Sequence, residues 1–297
     1  MKKIVLLFIT VQALFANSDY IELYNAYTNG AELVVQGRVI DQEDKKTKES
    51  KILSAFFNSE KKEVNVYLKI DKENFSLKSD NEGYFTFEVT SKVGIELNNT
   101  VVLHTDGNGS ENEIVPFFPS TKKHIGVISD FDDTVVVSNV TNKGKLLYNS
   151  FFKNFKEREL VKDISRRIKS RLKNNSALFF ISGSPHQFSN SINNFLDYHH
   201  FPKRAILTKK IHGEKSDSLH ASIAYKYAKI VKLIKMYPHV KWILYGDSGE
   251  KDEEIYWKVK QDYSEKIEAI YIRNVESEKV KKLHEELKKI SAPKKER

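Results

Sequence analysis

The sequence predicts an N-terminal all-β sandwich followed by a C-terminal α/β domain, in which helices cover both faces of a parallel sheet. Three observations support this prediction. Apolar and polar residues alternate with a period of two between residues 18 and 120, strands alternate with helices after that, and 297 residues suit two ordinary domains. The absence of cysteine excludes a disulfide scaffold, cysteine-ligated zinc, iron–sulfur clusters and a thiol nucleophile.

Residues 1–17 are typical of a secretory signal peptide. Met1-Lys2-Lys3 supply a basic start, and the apolar stretch 4–16 includes the small residues Ala13 and Ala16. This stretch is shorter than the ~20 residues that a membrane-spanning helix needs. We therefore expect an exported protein, periplasmic or secreted, with peripheral rather than integral membrane contact.

The predicted β-sandwich covers residues 18–120. Turn residues at 79–83 indicate a β-hairpin, in which Gly83 can take a positive φ. Alternation of apolar and polar residues predicts strands at 33–40, 64–70, 85–89 and 95–104.

The predicted α/β domain covers residues 121–276, after a boundary at Pro116 to Ser120, and a basic helix or tail follows at 277–297. The strands are predicted at 125–129, 178–182, 242–246 and 267–272, and the helices at 157–173, 187–200, 217–237 and 253–263. Ligands of such Rossmann-like folds bind outside the carboxyl ends of the strands.

Acidic residues follow two of these strands. Asp130 and Asp132 leave the first strand on the same side of an extended backbone, with Thr134 behind them. Two carboxylates at the end of a buried strand are costly unless a cation or a proton compensates them. Asp247 and Asp252 follow the third strand and could complete an oxygen-ligand site for Mg²⁺.

Two further features complete the expected site. After the second strand, Ser182-Gly183-Ser184-Pro185 predicts a helix start with Ser184 as N-cap and Pro185 as first helical residue, a natural phosphate site. Of the lysines on the helix at 217–237, Lys226 lies near the apolar stripe and at the end that faces the carboxyl ends of the strands.

The charge of the chain is divided unevenly. Residues 18–120 carry 11 basic and 18 acidic residues, a net charge of −7, whereas residues 121–297 carry 36 and 22, a net charge of +14. The second half therefore suits an anionic partner. No groove-reading motif is present and export argues against nucleic acid, so we expect no nucleic-acid partner.

These motifs resemble the haloacid dehalogenase-like (HAD-like) phosphatases, and most closely the App1-type phosphatidate phosphatase catalytic domain, which is related to the lipin catalytic region. The similar segments are GVISDFDDTVVVSNV, FFISGSPHQF and WILYGDSGEKDEEIYWKV…IEAIYIRNV. ELVVQGRVID and SDNEGYF resemble the β-domain that precedes it in bacterial members. Members commonly have an aromatic residue such as tryptophan where this chain has His186.

The resemblance implies a HAD-like three-layer fold and an aspartyl-phosphate mechanism. Asp130 would attack the phosphoryl group, and Asp132 would protonate the leaving alkoxide and then activate water. Mg²⁺ would be held by Asp130, by the backbone carbonyl of Asp132 and by Asp247, with Asp252 supporting the metal or its waters.

The remaining expected roles concern phosphate and substrate. Ser182 would hydrogen-bond a phosphoryl oxygen, Lys226 would neutralise charge, and Thr134 would fix the nucleophile loop. Gly183, Ser184 and His186 would bind substrate, although a surface position without such a role is equally open for His186.

The implied substrate is phosphatidate at an anionic membrane surface, which would be hydrolysed to diacylglycerol and phosphate. Intervals of 47 residues between Thr134 and Ser182 and 43 between Ser182 and Lys226 leave no room for a large cap domain. Apolar and basic residues at 146–158 suit membrane contact, but we favour a core-facing helix there.

Two functional alternatives stay open. The chain could hydrolyse another soluble or protein-linked phosphomonoester, or it could be a catalytically silent module that binds lipid phosphate. The presence of both Asp130 and Asp132 argues against a silent module. The run Gly246-Asp247-Ser248-Gly249 also resembles the nucleophile motif of trypsin-like proteases, but alternating strands and helices argue against that fold.

Overall fold

The computed structural model describes residues 19–41, 61–106, 111–120, 122–137, 155–173, 175–210, 219–249 and 251–275. The predicted signal peptide, the basic tail at 277–297 and the apolar segment up to residue 154 lie outside these ranges. Within them, no helix combines the length and the apolar character that crossing a membrane requires.

The described residues between 19 and 120, here called the β-module, form two antiparallel sheets. One sheet has the order β1-β2-β5 and the other the order β4-β3-β6-β7. The strands are β1 (Asp19–Thr28), β2 (Glu32–Asp41), β3 (Asn65–Ile70), β4 (Glu73–Lys78), β5 (Tyr84–Thr90), β6 (Val101–Thr105) and β7 (Asn112–Ile114).

One hydrophobic core is shared by both sheets of the β-module. Alternate residues of β2, β3, β5 and β6 point into it, as the period of two predicts. Burying these side chains removes apolar surface of both sheets from water at once. The contributing side chains include Leu33, Val35, Val66, Leu68, Phe85, Phe87, Val101 and Leu103.

Two predictions for the β-module are wrong in detail. The strand predicted at 95–104 begins only at Val101, because Asn98 takes a φ of +70° in a turn that precedes it. Residues 79–83 do not form a hairpin, because they link β4 of one sheet to β5 of the other. Gly83 does take a positive φ, of +79°, and its N–H donates to the carbonyl of Asp80.

The described residues between 122 and 275, here called the α/β unit, form a five-stranded parallel sheet with helices. The sheet order is β10-β9-β8-β11-β12. The elements are β8 (His124–Ser129), α1 (Lys162–Arg171), β9 (Leu178–Pro185), α2 (Ser189–Tyr198), β10 (Ala205–Lys209), α3 (Leu219–Met236), β11 (Val240–Asp247), α4 (Asp252–Asp262) and β12 (Ile267–Arg273).

Helices pack on both faces of this sheet, which confirms the predicted α/β arrangement. Val127 packs in a core with α1 and α2, whereas its neighbour Ile128 packs in a core with α3 and α4. Strand β10, a short edge strand, was not predicted, and the first helix begins at Lys162 rather than at 157.

An aromatic cluster joins the β-module to the α/β unit. Phe179 of β9 lies at its centre, with ring centroids 5.4 to 6.0 Å from those of Tyr27, Phe117, Tyr237 and Trp242. The hydroxyl of Tyr237 also donates to the carbonyl of Thr28 at 3.0 Å. The two parts of the chain therefore share buried apolar surface.

Replacing the ring at the centre of this cluster should destabilise both parts. We expect Phe179→Ala to lower the free energy of unfolding by about 3–5 kcal/mol, because a cavity forms among four aromatic rings. Denaturant unfolding measures this change. Trp257→Ala, at a half-exposed ring on α4, is the control and should cost less than about 1 kcal/mol. Equal losses for the two variants would contradict the central position of Phe179.

Candidate active site

Three aspartates meet at the carboxyl edge of the parallel sheet. Asp130 follows β8 and Asp247 ends β11, and these two strands are hydrogen-bonded neighbours. Asp252 is the first residue of α4. All three are buried, and each offers a carboxylate oxygen within 4.8 Å of the others. This group is called the acidic cluster below.

The turn between β11 and α4 depends on glycine. A Cβ atom at Gly246 would lie 2.6 Å from the Cβ of Asp252, so a larger residue would push α4 away from the strand. The N–H of Gly249 donates to Asp247 Oδ1 at 2.6 Å. Thr134 Oγ1 approaches Asp247 Oδ2 at 3.5 Å, which ties the segment after β8 to the same carboxylate.

The side chain of Lys226, on α3, reaches the acidic cluster. Its Nζ donates to Asp130 Oδ1 at 2.9 Å and to Asp252 Oδ1 at 2.6 Å, and the residue is 2% exposed. Because α3 runs antiparallel to β11, its N-terminal half lies beside the carboxyl ends of the strands. The position of Lys226 on the helix therefore decides that this lysine points at the aspartates.

The donor set of the acidic cluster fits a hard divalent cation. Buried charges are costly unless they are paired, and one ammonium group cannot neutralise three carboxylates. Oxygen ligands are those that Mg²⁺ and Ca²⁺ prefer. The negative charge also acts on a neighbour: burial, and then the charge of Asp252, raise the pKa of Tyr256 well above its ordinary value.

Asp132 lies beside the cluster and is held from two sides. Arg158 Nη2 donates to Asp132 Oδ1 at 3.2 Å, and Ser184 Oγ donates to Asp132 Oδ2 at 3.0 Å. The next residue, Asp133, has a φ of +54°, and its carbonyl accepts a hydrogen bond from Arg273 Nη1 at 2.5 Å. The side chain of Asp132 is 18% exposed, so it is the accessible carboxylate beside a buried cluster.

The segment after β9 differs from its prediction. Ser184 is not an N-cap and Pro185 is not helical, because β9 extends to Pro185 and a 3₁₀ turn at His186–Phe188 precedes α2. Ser182 is buried, and its Oγ accepts the N–H of Ser184 at 3.0 Å. A Cβ atom at Gly183 would meet nothing within 4 Å, so this residue borders open space.

His186 packs against the β-module. Its ring stacks on that of Tyr24, with centroids 5.0 Å apart, and its Nδ1 is hydrogen-bonded to Thr208 Oγ1 at 2.7 Å. Burial, followed by the charges of Lys229 and Lys210, lowers the pKa of His186 to about 4. A neutral imidazole therefore joins the segment after β9 to the β-module.

Sequence reasoning missed the residues that surround Asp132 and His186. Arg158 belongs to the apolar and basic stretch at 146–158 that suits membrane contact, but its side chain is 4% exposed and points inward. No sequence pattern indicates Tyr24 and Tyr84 of the β-module, although the hydroxyl of Tyr84 accepts a hydrogen bond from Gln187 Nε2 at 2.7 Å. No spacing along the chain connects these residues to the site, since each comes from a distant segment.

The fold and the site define an α/β protein with a buried acidic centre at the carboxyl edge of its parallel sheet. The family described as "Phosphatidate phosphatase APP1, catalytic domain" matches residues 125–274, which is half of the chain. The matched range contains the acidic cluster, Lys226 and Asp132. The chain belongs to this family.

Two fungal proteins are similar to the chain. Phosphatidate phosphatase APP1 of Saccharomyces cerevisiae is 29% identical over 185 residues, which cover 62% of this chain and 31% of that protein. An uncharacterized protein of Schizosaccharomyces pombe is 24% identical over 215 residues, which cover 69% and 35%. The chain therefore spans about a third of the length of these curated relatives.

Similarity to a solved structure is more distant. A chain in the structure of a Pnkp1/Rnl/Hen1 complex is 14% identical, with a TM-score of 0.36, and the match covers 58% of this chain and 56% of that one.

The contact of His186 with the β-module makes stability depend on pH. The folded state lowers the pKa from 6.5 to about 4, so it disfavours the protonated ring. The contribution of the neutral ring to the free energy of unfolding is complete above pH 6.5. It is lost as the pH falls toward 4, by up to about 3 kcal/mol. Denaturant unfolding between pH 7 and 4 measures the loss.

A matched variant separates His186 from the carboxylates that titrate in the same range. His186→Gln keeps a group that can bond to Thr208 but cannot be protonated. The variant should lose less stability than the wild type over this pH range. The same loss in both proteins would show that His186 does not cause it.

Proposed function

We propose that this protein is a Mg²⁺-dependent phosphatase that hydrolyses a phosphomonoester, and that phosphatidate, converted to diacylglycerol and phosphate, is its substrate. The buried acidic cluster with Lys226, beside the accessible Asp132, is the observation that carries the proposal. In this interpretation the α/β unit is a HAD-like domain with three layers and the β-module is a β-sandwich. The family membership supports the substrate class.

Asp130 is the proposed nucleophile. Its carboxylate attacks phosphorus, and an aspartyl-phosphate forms as the bond to the leaving oxygen breaks. Hydrogen bonding to Lys226 fixes Asp130 Oδ1. The backbone N–H of Asp130 donates to the carbonyl of Tyr245 at 2.8 Å, so the nucleophile is anchored to the neighbouring strand as well.

Asp132 is the proposed general acid and base. It gives a proton to the leaving oxygen in the first step, and in the second it takes a proton from the water that attacks the aspartyl-phosphate. Its greater exposure than that of the cluster supports this division, because a proton carrier must reach both substrate and water.

Phosphate binding is assigned to the segment after β9 and to Lys226. Ser182 would donate to a phosphoryl oxygen, and the open space at Gly183 leaves room for that group. Ser184 would border the leaving oxygen through its contact with Asp132. Lys226 would neutralise charge on the phosphate, and Thr134 would hold the nucleophile segment to Asp247.

Asp130, the backbone carbonyl of Asp132 and Asp247 would hold the Mg²⁺ ion. Asp252 would support it, since Asp252 Oδ1 is already bonded to Lys226 and Oδ2 accepts the N–H of Asp247 at 3.4 Å. A bound ion would supply charge neutralisation at the phosphoryl oxygens.

We also propose that the protein is exported and that it meets its substrate at a membrane surface. The apolar start of the chain supports export to the periplasm or the exterior, and the basic second half supports contact with anionic phospholipid at a membrane surface. The alternatives are a different phosphomonoester and a silent module that binds lipid phosphate.

Phosphate release tests the reaction and its substrate together. The wild type should release phosphate from phosphatidate micelles in the presence of Mg²⁺, and Asp130→Asn should lower the rate by at least about 10³-fold. A soluble phosphomonoester and a metal-free sample are run in parallel. The variant keeps the size of the side chain but removes the nucleophilic charge.

The outcomes distinguish the three functional proposals. Release only from the soluble ester would contradict the lipid assignment and favour another phosphomonoester. No metal-dependent release from either ester, with retained binding to phosphatidate, would favour the silent module.

Metal binding can be tested without catalysis. Mg²⁺ should raise the free energy of unfolding, by about 2.7 kcal/mol at a concentration 100 times its dissociation constant. Asp247→Asn should abolish this gain, and without metal it should be at least as stable as the wild type. The amide can still accept from Gly249 and donate to Thr134 while it relieves repulsion. Equal stabilisation of both proteins by Mg²⁺ would contradict the site.

A further inference from the structure

Arg158 occupies a fixed place beside the candidate site. It lies between a 3₁₀ turn at Phe155–Glu157 and α1, and its side chain is 4% exposed. The guanidinium carbon lies 5.5 Å from the ring centroid of Phe131 and 5.9 Å from that of Phe195. A guanidinium packed against two aromatic rings has little freedom to turn.

The two oxygens of Asp132 face different kinds of donor. Oδ1 accepts from Arg158 Nη2 at 3.2 Å, and Oδ2 accepts from Ser184 Oγ at 3.0 Å. A guanidinium can only donate hydrogen bonds, whereas a hydroxyl can donate or accept. A proton on Oδ1 would therefore face an N–H group, but a proton on Oδ2 could be accepted by Ser184 or passed on.

We infer that Arg158 is a positioning residue that keeps Asp132 Oδ1 as an acceptor and so makes Oδ2, beside Ser184, the oxygen that carries the proton. This inference rests on the proposed phosphatase function and goes beyond it. In this role Arg158 acts on the reaction through Asp132.

The proton on Asp132 Oδ2 takes part in both steps of the proposed reaction. In the first step an oxygen of Asp130 bonds to phosphorus, the bond from phosphorus to the ester oxygen breaks, and the proton on Asp132 Oδ2 goes to the departing oxygen. In the second step water attacks phosphorus, its proton goes to Asp132 Oδ2, and the bond to Asp130 breaks. Both carboxylates then return to their starting states.

The dependence on the leaving group separates this role from a structural one. A strongly basic leaving oxygen needs the proton, whereas a weakly basic one departs with little help. Arg158→Met removes the N–H donors and keeps an apolar chain over Phe131. We expect it to lower kcat/KM by about 10- to 100-fold for phosphatidate and phenyl phosphate, but by less than about 3-fold for p-nitrophenyl phosphate.

The chain offers a matched control for the loss of a buried arginine. Arg204 is also 4% exposed in its side chain, and it is paired with Asp197 at 2.6 Å, away from the acidic cluster. Arg204→Met should reduce stability without changing the ratio of kcat/KM values between basic and weakly basic leaving groups. Arg158→Lys, which keeps the charge but not the planar donor, should give an intermediate ratio and serves if Arg158→Met does not fold.

Each outcome has one meaning. The inference is supported if the ratio of kcat/KM values between basic and weakly basic leaving groups shifts for the Arg158 variants and not for Arg204→Met. Equal losses on all esters, or a rise of KM alone, would overturn it in favour of a structural role or of direct phosphate binding. No release of phosphate from any ester by the wild type would instead contradict the proposed function.

Discussion

The compensation of buried negative charge is the constraint on which the rest of the site depends. Three carboxylates are brought together by two neighbouring strands and the start of α4, and Lys226 supplies one positive charge among them. The proposed Mg²⁺ ion would add positive charge at the same place. Two features of the fold bring these charges together. Gly246 lets α4 pack close to β11, so that Asp252 joins the cluster. The orientation of α3 brings Lys226 to the same carboxylates.

The β-module is connected to this site through packing. Phe179 joins it to the sheet at one place, and the stack of Tyr24 on His186 joins it to the segment that carries Ser182 and Ser184. Since Ser184 contacts Asp132, the β-module supports the candidate proton carrier through only a few residues. The interface combines this aromatic packing with ion pairs, in which Lys210 contacts Asp80 and Glu82 and Lys232 contacts Glu88, so salt screens part of it.

Sequence patterns predicted the elements that have periodic apolar residues and the site residues that directly follow strands. Alternation of apolar and polar residues predicted the antiparallel sheets, and alternation of strands with helices predicted the parallel sheet. Because the carboxyl ends of parallel strands meet at one edge, Asp130 and Asp247 were expected to lie together. Strand β10 was missed since five residues carry little periodicity. Arg158 and the partners of His186 were missed because contacts between distant segments leave no spacing to recognise.

The location of a trapped phosphoryl group tests the central proposal most directly. Acid-quenched reactions of the wild type with phosphatidate and Mg²⁺, reduced with borohydride and digested, should yield one modified peptide with the change at Asp130. With p-nitrophenyl phosphate, whose leaving oxygen needs little protonation, Asp132→Asn should accumulate more of it, because that residue activates the hydrolytic water in the second step. An active protein that carries the phosphoryl group on another residue, or on none under these conditions, would contradict a nucleophilic role for Asp130.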